Sequence, residues 1–457
     1  MQRKNDLLGG PRYSRKGAWA KAILLLLGFA AVIGGMIYLI PRFEWHAPVI
    51  EVKLASNVVG RRPFDIEVKE RGRGLAGVSV TLSAGGVDHP ILIERYELGV
   101  VTEKKVTVDP AADKIGVKDG PAVLQIKAID RSYWRFFRGN ETTVQKNIVL
   151  DTTPPTLELI SSDAYVNFGG TGFVIYKASS DTQKTGVQIA HYFFPGYKLK
   201  APDRFAAFFA YPYDLGEKEK AVIVAEDGAG NGRQMALSYT LKGVRYRKST
   251  LSIEDHFIES KVAPLLGAAS AAGQDLKTAF LKVNRDLRKK NEEMIKEICR
   301  QSKPEMLWKE PFHQLSNSKV EANFADERTY VYKGERIDQA YHLGYDLAVT
   351  KNTPVEAAND GVVVFAGALG IYGNTVILDH GMGIFTLYSH LNSMDVKLGD
   401  QVRRKQAVGK TGETGLAAGD HLHYAVLLHG VPVLPLEWWD RKWLKDNVQG
   451  KLNELSG

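Results

Sequence analysis

Gly419-Asp420-His421-Leu422-His423-Tyr424, read together with Tyr341-His342-Leu343-Gly344-Tyr345-Asp346 and Tyr388-Ser389-His390-Leu391, organises the whole chain. These three strings bring four imidazoles and two carboxylates, Asp346 and Asp420, into the C-terminal part of the sequence. Of 11 histidines in 457 residues, six fall between His342 and His429. Zinc catalysis needs three protein ligands, an open position for water and a proton-handling group beside it. His342, Asp346, His390, His421 and His423 fill that inventory. Two imidazoles and a carboxylate can hold a metal, and two further imidazoles are left for acid–base work.

Each string is weaker alone. A single His-x-x-x-Asp is common, so His342 and Asp346 by themselves read as structural. His421 and His423 are expected on a strand with their rings on opposite faces, unless local geometry turns both to one site. His380 and His429 read as turn or surface histidines. The sequence has no His-Glu-x-x-His string, which excludes the helix-borne zinc arrangement. It has no Gly-x-Ser-x-Gly elbow either, which argues against a serine hydrolase. The single cysteine, Cys299, lies outside the cluster, so a cysteine-rich structural zinc site and an internal disulfide are both excluded.

Around these strings the pattern is that of strands. Gly361 to Gly367, Asn374 to Asp379 and Gly383 to Tyr388 are short apolar runs cut by glycine and aspartate. Residues 305–445 therefore read as a compact antiparallel β domain. Residues 250–303 read as helical, with Leu276, Phe280, Val283, Leu287, Met294 and Ile298 in a near-heptad stripe between Gly273 and Pro304. The stripe is expected to pack on a neighbouring domain. The 276–298 helix could also serve a dimer or a regulatory partner.

Upstream, residues 47–151 and 154–244 read as two β-sandwiches. Ile126-Lys127-Ala128-Ile129-Asp130 returns 97 residues later as Ile223-Val224-Ala225-Glu226-Asp227, and Gly77-Val78-Ser79-Val80 is answered at a similar offset by Gly186-Val187-Gln188-Ile189. Leu150-Asp151-Thr152-Thr153-Pro154-Pro155 stiffens the joint between the copies. The arrangement resembles tandem bacterial immunoglobulin-like modules, which read as spacers because nothing chemical clusters in them.

Residues 22–40 form an unbroken uncharged run, long enough at ~1.5 Å per residue to cross a ~30 Å hydrocarbon core. Six basic residues against one acid precede it, which places residues 1–21 in the cytoplasm and the rest outside. No small-residue cleavage site follows, so an uncleaved anchor is expected rather than a signal peptide. The net charge of +8 is spread along the chain without a dense basic block, which argues against a nucleic-acid partner.

From about Pro311 to Trp439 the sequence resembles the lysostaphin-type, or LytM-domain, zinc peptidases. The matching strings are Tyr341 to Ala348, Asp379-His380-Gly381-Met382-Gly383, Tyr388 to Leu391, Gly399-Asp400-Gln401-Val402, Gly409 to Gly415, Gly419 to Tyr424 and Gly430 to Pro435. The resemblance implies that His342, Asp346 and His423 bind Zn²⁺ and that His390 and His421 flank the reacting water and carbonyl. It further implies an endopeptidase acting on the peptide part of peptidoglycan, and the uncharged run at residues 22–40 would hold it at the cytoplasmic membrane by a single N-terminal helix. The alternative is a catalytically silent protein that binds the wall or activates another hydrolase. Two positions depart from the family: Asp420 stands where proline is usual, beside His421, and Ala425 where an acid is common.

Overall fold

The computed structural model describes residues 15–97, 101–110, 116–243, 246–267 and 275–454. Gly273, expected to punctuate the helical segment, lies outside them. The chain is mainly β. It opens with a helix, Arg15–Leu39. The stretch Trp19–Arg42 is long and apolar enough to cross a membrane, and none of its apolar window is buried in the fold.

Two compact units follow from the contacts, one of residues 1–153 with 228–231 and one of 154–227 with 232–457. In the first, an antiparallel sheet of Val49–Lys53, Phe64–Lys69 and Glu103–Val108 accompanies a five-stranded sheet. The long strands Leu75–Ala84, Gly120–Asp130 and Glu141–Leu150 lie at the centre of the larger sheet. Alternate residues turn inward, so Ile66, Val68, Val80, Leu124 and Ile126 share one apolar core.

In the second unit, residues 157–227 and 232–236 form two four-stranded sheets. The sequence repeat has a structural counterpart here. Val78 pairs with Ala128 in the first unit, and Val187 pairs with Ile223 in the second, so the repeated strings are neighbouring antiparallel strands in both.

The C-terminal sheet positions the histidines. Its strands are β1 (Lys319–Ala322), β2 (Tyr345–Ala348), β3 (Gly361–Ala368), β4 (Asn374–Asp379), β5 (Ile384–Leu391), β6 (Gln401–Val402), β7 (Leu422–Leu428) and β8 (Val431–Val433). Their order is β1-β2-β7-β5-β4-β3-β6, with β8 on β7, and every pairing is antiparallel.

Both faces of this sheet are buried, and strand alternation divides them. Val376, Leu378, Tyr388, Tyr424 and Val426 join a core that contains Trp308, Trp438 and Phe208. Ile377, Phe385, Leu387, Ala425 and Leu427 meet Phe280, Val283, Ile295 and Cys299. The 276–298 segment thus packs on a neighbouring sheet of its own chain.

Two details differ from the sequence reading. Residues 248–253 are a strand parallel to Asp326–Tyr332, because Lys-Ser-Thr-Leu-Ser-Ile alternates at the strand period; the helical turns begin at Asp255. The apolar stripe also changes register at a π turn, Val283–Leu287. Beyond it, Asn291, Ile295 and Cys299 face inward and Met294 is exposed. A wider turn shifts the following residues around the helix axis, which a heptad reading has no means to register.

Candidate metal centre

Asp346 and His423 are directly opposite across β2 and β7, and Ser389 on β5 is opposite His423 from the other side. His390 therefore stands one step beyond His423. His342 ends the neighbouring strand Glu335–His342. His421 is held by a bridge to Gly412 just before β7. Residues two apart on a strand share a face, so the expectation of opposite faces for His421 and His423 fails. Asp346 Oδ1 lies 2.9 Å from His423 Nδ1 and 3.5 Å from His421 Nε2.

The tightest group is His342 Nε2, Asp346 Oδ1 and His423 Nδ1. Their separations are 2.8 Å from His342 to Asp346, 2.9 Å from His423 to Asp346 and 3.0 Å between the two nitrogens. A tetrahedral zinc with bonds of ~2.0–2.1 Å holds its ligands ~3.3 Å apart. Gly344 makes room for them: a Cβ there would lie 2.7 Å from His423 Cε1.

The proton inventory favours a cation at that point. His342 Nδ1 lies 3.0 Å from the carbonyl of Asn323, and a carbonyl only accepts, so Nδ1 carries the hydrogen. Nε2 is then the atom turned towards a carboxylate oxygen, and without a proton it presents a bare lone pair. Two acceptors at 2.8 Å repel unless a proton or a metal lies between them. The residues present fit a divalent ion.

His390 and His421 are oriented in the same manner. Nδ1 of His390 donates to Thr414 O at 2.8 Å, which frees its Nε2, and Nδ1 of His421 donates to Gly419 O at 2.8 Å, which leaves its Nε2 turned towards Asp346. Their rings are 4.8 Å apart, and the His390 ring is 5.9 Å from that of His423.

Burial, with the neighbouring imidazoles His421 and His423, pushes His390 down to about 3. Burial also lowers His423, to about 4. Burial alone would lower His421, but the hydrogen bond and charge of Asp346 reverse this and hold it above its ordinary value. Asp420, the residue before His421, accepts from the Asn352 amide through Oδ2. Asp346 is itself held well below the carboxylate range, because the three surrounding histidines outweigh its burial.

Residues 340–435 match the family model described as Peptidase family M23. The chain carries an M23 peptidase domain of the LytM, or lysostaphin, type. Over 95 residues it is 43% identical to the DD-carboxypeptidase/endopeptidase Mpg of Neisseria meningitidis serogroup B, covering 21% of this chain and 22% of that one. It is 38% identical over 118 residues to the peptidoglycan DD-endopeptidase ShyA of Vibrio cholerae, covering 26% and 27%. It is 35% identical over 113 residues to an uncharacterised metalloprotease of Buchnera aphidicola, covering 24% and 30%. The chain thus spans less than a third of the length of each of these relatives.

In the M23 domain the five sequence-selected residues come together at one end of the central sheet, beside a cleft of about 670 Å³. Sequence reading missed Arg328, whose Nη2 donates to Asp346 Oδ2 at 3.0 Å, and the carbonyls of Asn323 and Thr414. No string marks them, because each acts through a neighbour on another strand or loop. His380 is fully buried rather than at the surface. Its Nδ1 donates to Asp360 O at 2.7 Å and its Nε2 meets Thr386 Oγ1 at 2.7 Å, which makes it a structural pin. Leu251, Phe257, Phe280 and Arg288 line the cleft, so the 250–303 region is part of its wall.

Proposed function

We propose that this chain is a membrane-anchored zinc endopeptidase that hydrolyses peptide bonds in peptidoglycan. The observation that carries this reading is the convergence of His342 Nε2, Asp346 Oδ1 and His423 Nδ1 within 3.0 Å of one another. The peptidoglycan endopeptidases among its relatives support the substrate class. The apolar N-terminal helix supports an anchor in the cytoplasmic membrane with the peptidase outside it.

In this mechanism His342, Asp346 and His423 hold the metal. When bound there, zinc supplies Lewis-acid polarisation of the scissile carbonyl and lowers the pKa of water. Asn323 O and Arg328 fix the orientation of two of the ligands. His390 and His421 present Nε2 to the reacting peptide. Between them they take a proton from the attacking water and return one to the leaving amine. The two upstream sandwiches act as immunoglobulin-like spacers that set the distance of this chemistry from the membrane.

The test is mass spectrometry of peptidoglycan digested with the zinc-loaded full-length chain. Release of new amine-terminated stem peptides by the wild type but not by His423→Ala supports the proposal. Identical products from both proteins, or none from either, would leave the silent wall-binding alternative standing.

A further inference from the structure

A second set of carboxylates lies in the first unit, away from the peptidase strings. Glu44 follows the N-terminal helix, Glu70 follows strand Phe64–Lys69, and Asp130 ends strand Gly120–Asp130. One oxygen from each lies within 4.8 Å of the other two. Glu70 and Asp130 are only 4% and 2% exposed. Three carboxylates this close repel one another, and burial removes the water that would screen them.

The cations nearby are otherwise engaged. Among the described residues, no ion pair includes Glu44, Glu70 or Asp130. Arg73 gives its backbone amide to both carboxylate oxygens of Glu44, but Nη1 of its guanidinium donates to Arg131 O, and that group stacks over the Tyr133 ring at 4.5 Å. His46, the other basic group that acts on the cluster, is exposed.

Glu70 supplies a second, independent observation. Its Oε1 accepts from the Gly72 amide at 2.8 Å, while Oε2 is sealed from solvent and has no hydrogen-bond partner. An orphaned carboxylate oxygen beside two further carboxylates is costly unless a proton or a cation satisfies it. Gly72 keeps the space open, since a Cβ there would collide with the carboxylate of Glu44. Glu44 and Glu70 both have raised pKa values, because burial and then neighbouring carboxylates oppose their charge.

We propose that Glu44, Glu70 and Asp130 bind a hard divalent cation of the calcium class, which clamps the segment after the N-terminal helix to the first sandwich. An all-oxygen donor set with no nitrogen or sulfur selects hard ions. Three ligands from three separate segments suit the flexible geometry of Ca²⁺ better than the strict octahedron of Mg²⁺. The clamp closes where the aromatic contacts are already dense: Phe43 meets Tyr133 and Trp134 at 5.9 Å each, and Trp45 meets Trp134 at 4.6 Å. The ion would join Glu44, on the chain leaving the helix, to two strand ends of the sandwich.

The test uses the full-length protein in detergent, with zinc kept stoichiometric so that the peptidase site is filled. In calcium-free buffer, Glu70→Gln should melt at or above the wild-type temperature, because it removes one of three repelling charges. Calcium at millimolar levels should raise the wild-type midpoint by several degrees and leave the variant unmoved, with affinity on the order of 10⁻⁴–10⁻³ M as in extracellular modules. Terbium, used as a calcium stand-in, should luminesce on tryptophan excitation, and calcium should quench that signal by displacement. Asp130→Asn should weaken terbium binding at least tenfold. An equal shift with magnesium would overturn the calcium class. An unshifted wild type, or equal shifts in wild type and Glu70→Gln, would overturn the site.

Discussion

Arg328 grips one oxygen of Asp346 and leaves the other to the histidines: Nη2 donates to Oδ2 at 3.0 Å while His342 and His423 crowd Oδ1. A carboxylate pinned in this way cannot rotate to bind a metal through both oxygens, so its geometry is set before any ion arrives. Arg328→Leu should therefore weaken zinc binding ~10–100-fold, the usual cost of losing a partner behind a metal ligand. Arg328→Lys should recover part of the loss, since it restores charge but not the planar fork. Competition with a chromophoric chelator measures both. Unchanged affinity in the leucine variant would refute the role.

Metal holding and proton transfer should separate by mutation. His423→Ala should fail to retain stoichiometric zinc. His390→Ala should retain it and lose ~10²–10⁴-fold in turnover, the range for removing a general acid or base. Metal content and turnover measured on the same preparations decide the matter. A metal-free His390→Ala would move that residue into the ligand set.

Glu437 should make stability fall towards alkaline pH. Burial raises its pKa from 4.5 to about 8, although Asn167 Nδ2 and the Thr171 amide both donate to it. The fold thus keeps Glu437 protonated where the unfolded chain has already ionised. Its favourable contribution is complete below about pH 4.5 and is lost as pH rises through about 8. Glu437→Gln should flatten the melting temperature between those limits and raise it at the alkaline end. Parallel pH profiles for the two proteins would contradict this.

A fragment beginning near residue 305 should not behave as a folded peptidase. It would bare the sheet face of Ile377, Phe385, Leu387, Ala425 and Leu427 that the preceding helix covers. The same contact predicts that Phe280→Ala, at a ring 1% exposed and 5.1 Å from Tyr330, costs ~3–5 kcal/mol in denaturant unfolding. A soluble, cooperatively melting 305–457 fragment would show the helix to be dispensable.

The sequence made the five site residues legible because each lies in a short string with a fixed place on a strand or turn. Asp346 and His423 reach one another through strand register, which a motif encodes indirectly. Arg328 and the carbonyls of Asn323 and Thr414 were illegible for the opposite reason. They act across strands or loops, as single groups whose meaning depends on what the fold places beside them. The paired histidines failed differently, since the period of two was applied to the wrong pair of positions. The π turn at Val283–Leu287 leaves no mark in composition, and it redirected the buried face from Met294 to Ile295.

His390 holds a backbone φ of +61°, in the left-handed region that a side chain of this size rarely occupies and that costs of order 1–3 kcal/mol. Asparagine or glycine would rest there more comfortably. In backbone terms, then, this position works against its own side chain. If the imidazole at 390 moves protons as proposed, that task is held in place against a standing backbone cost.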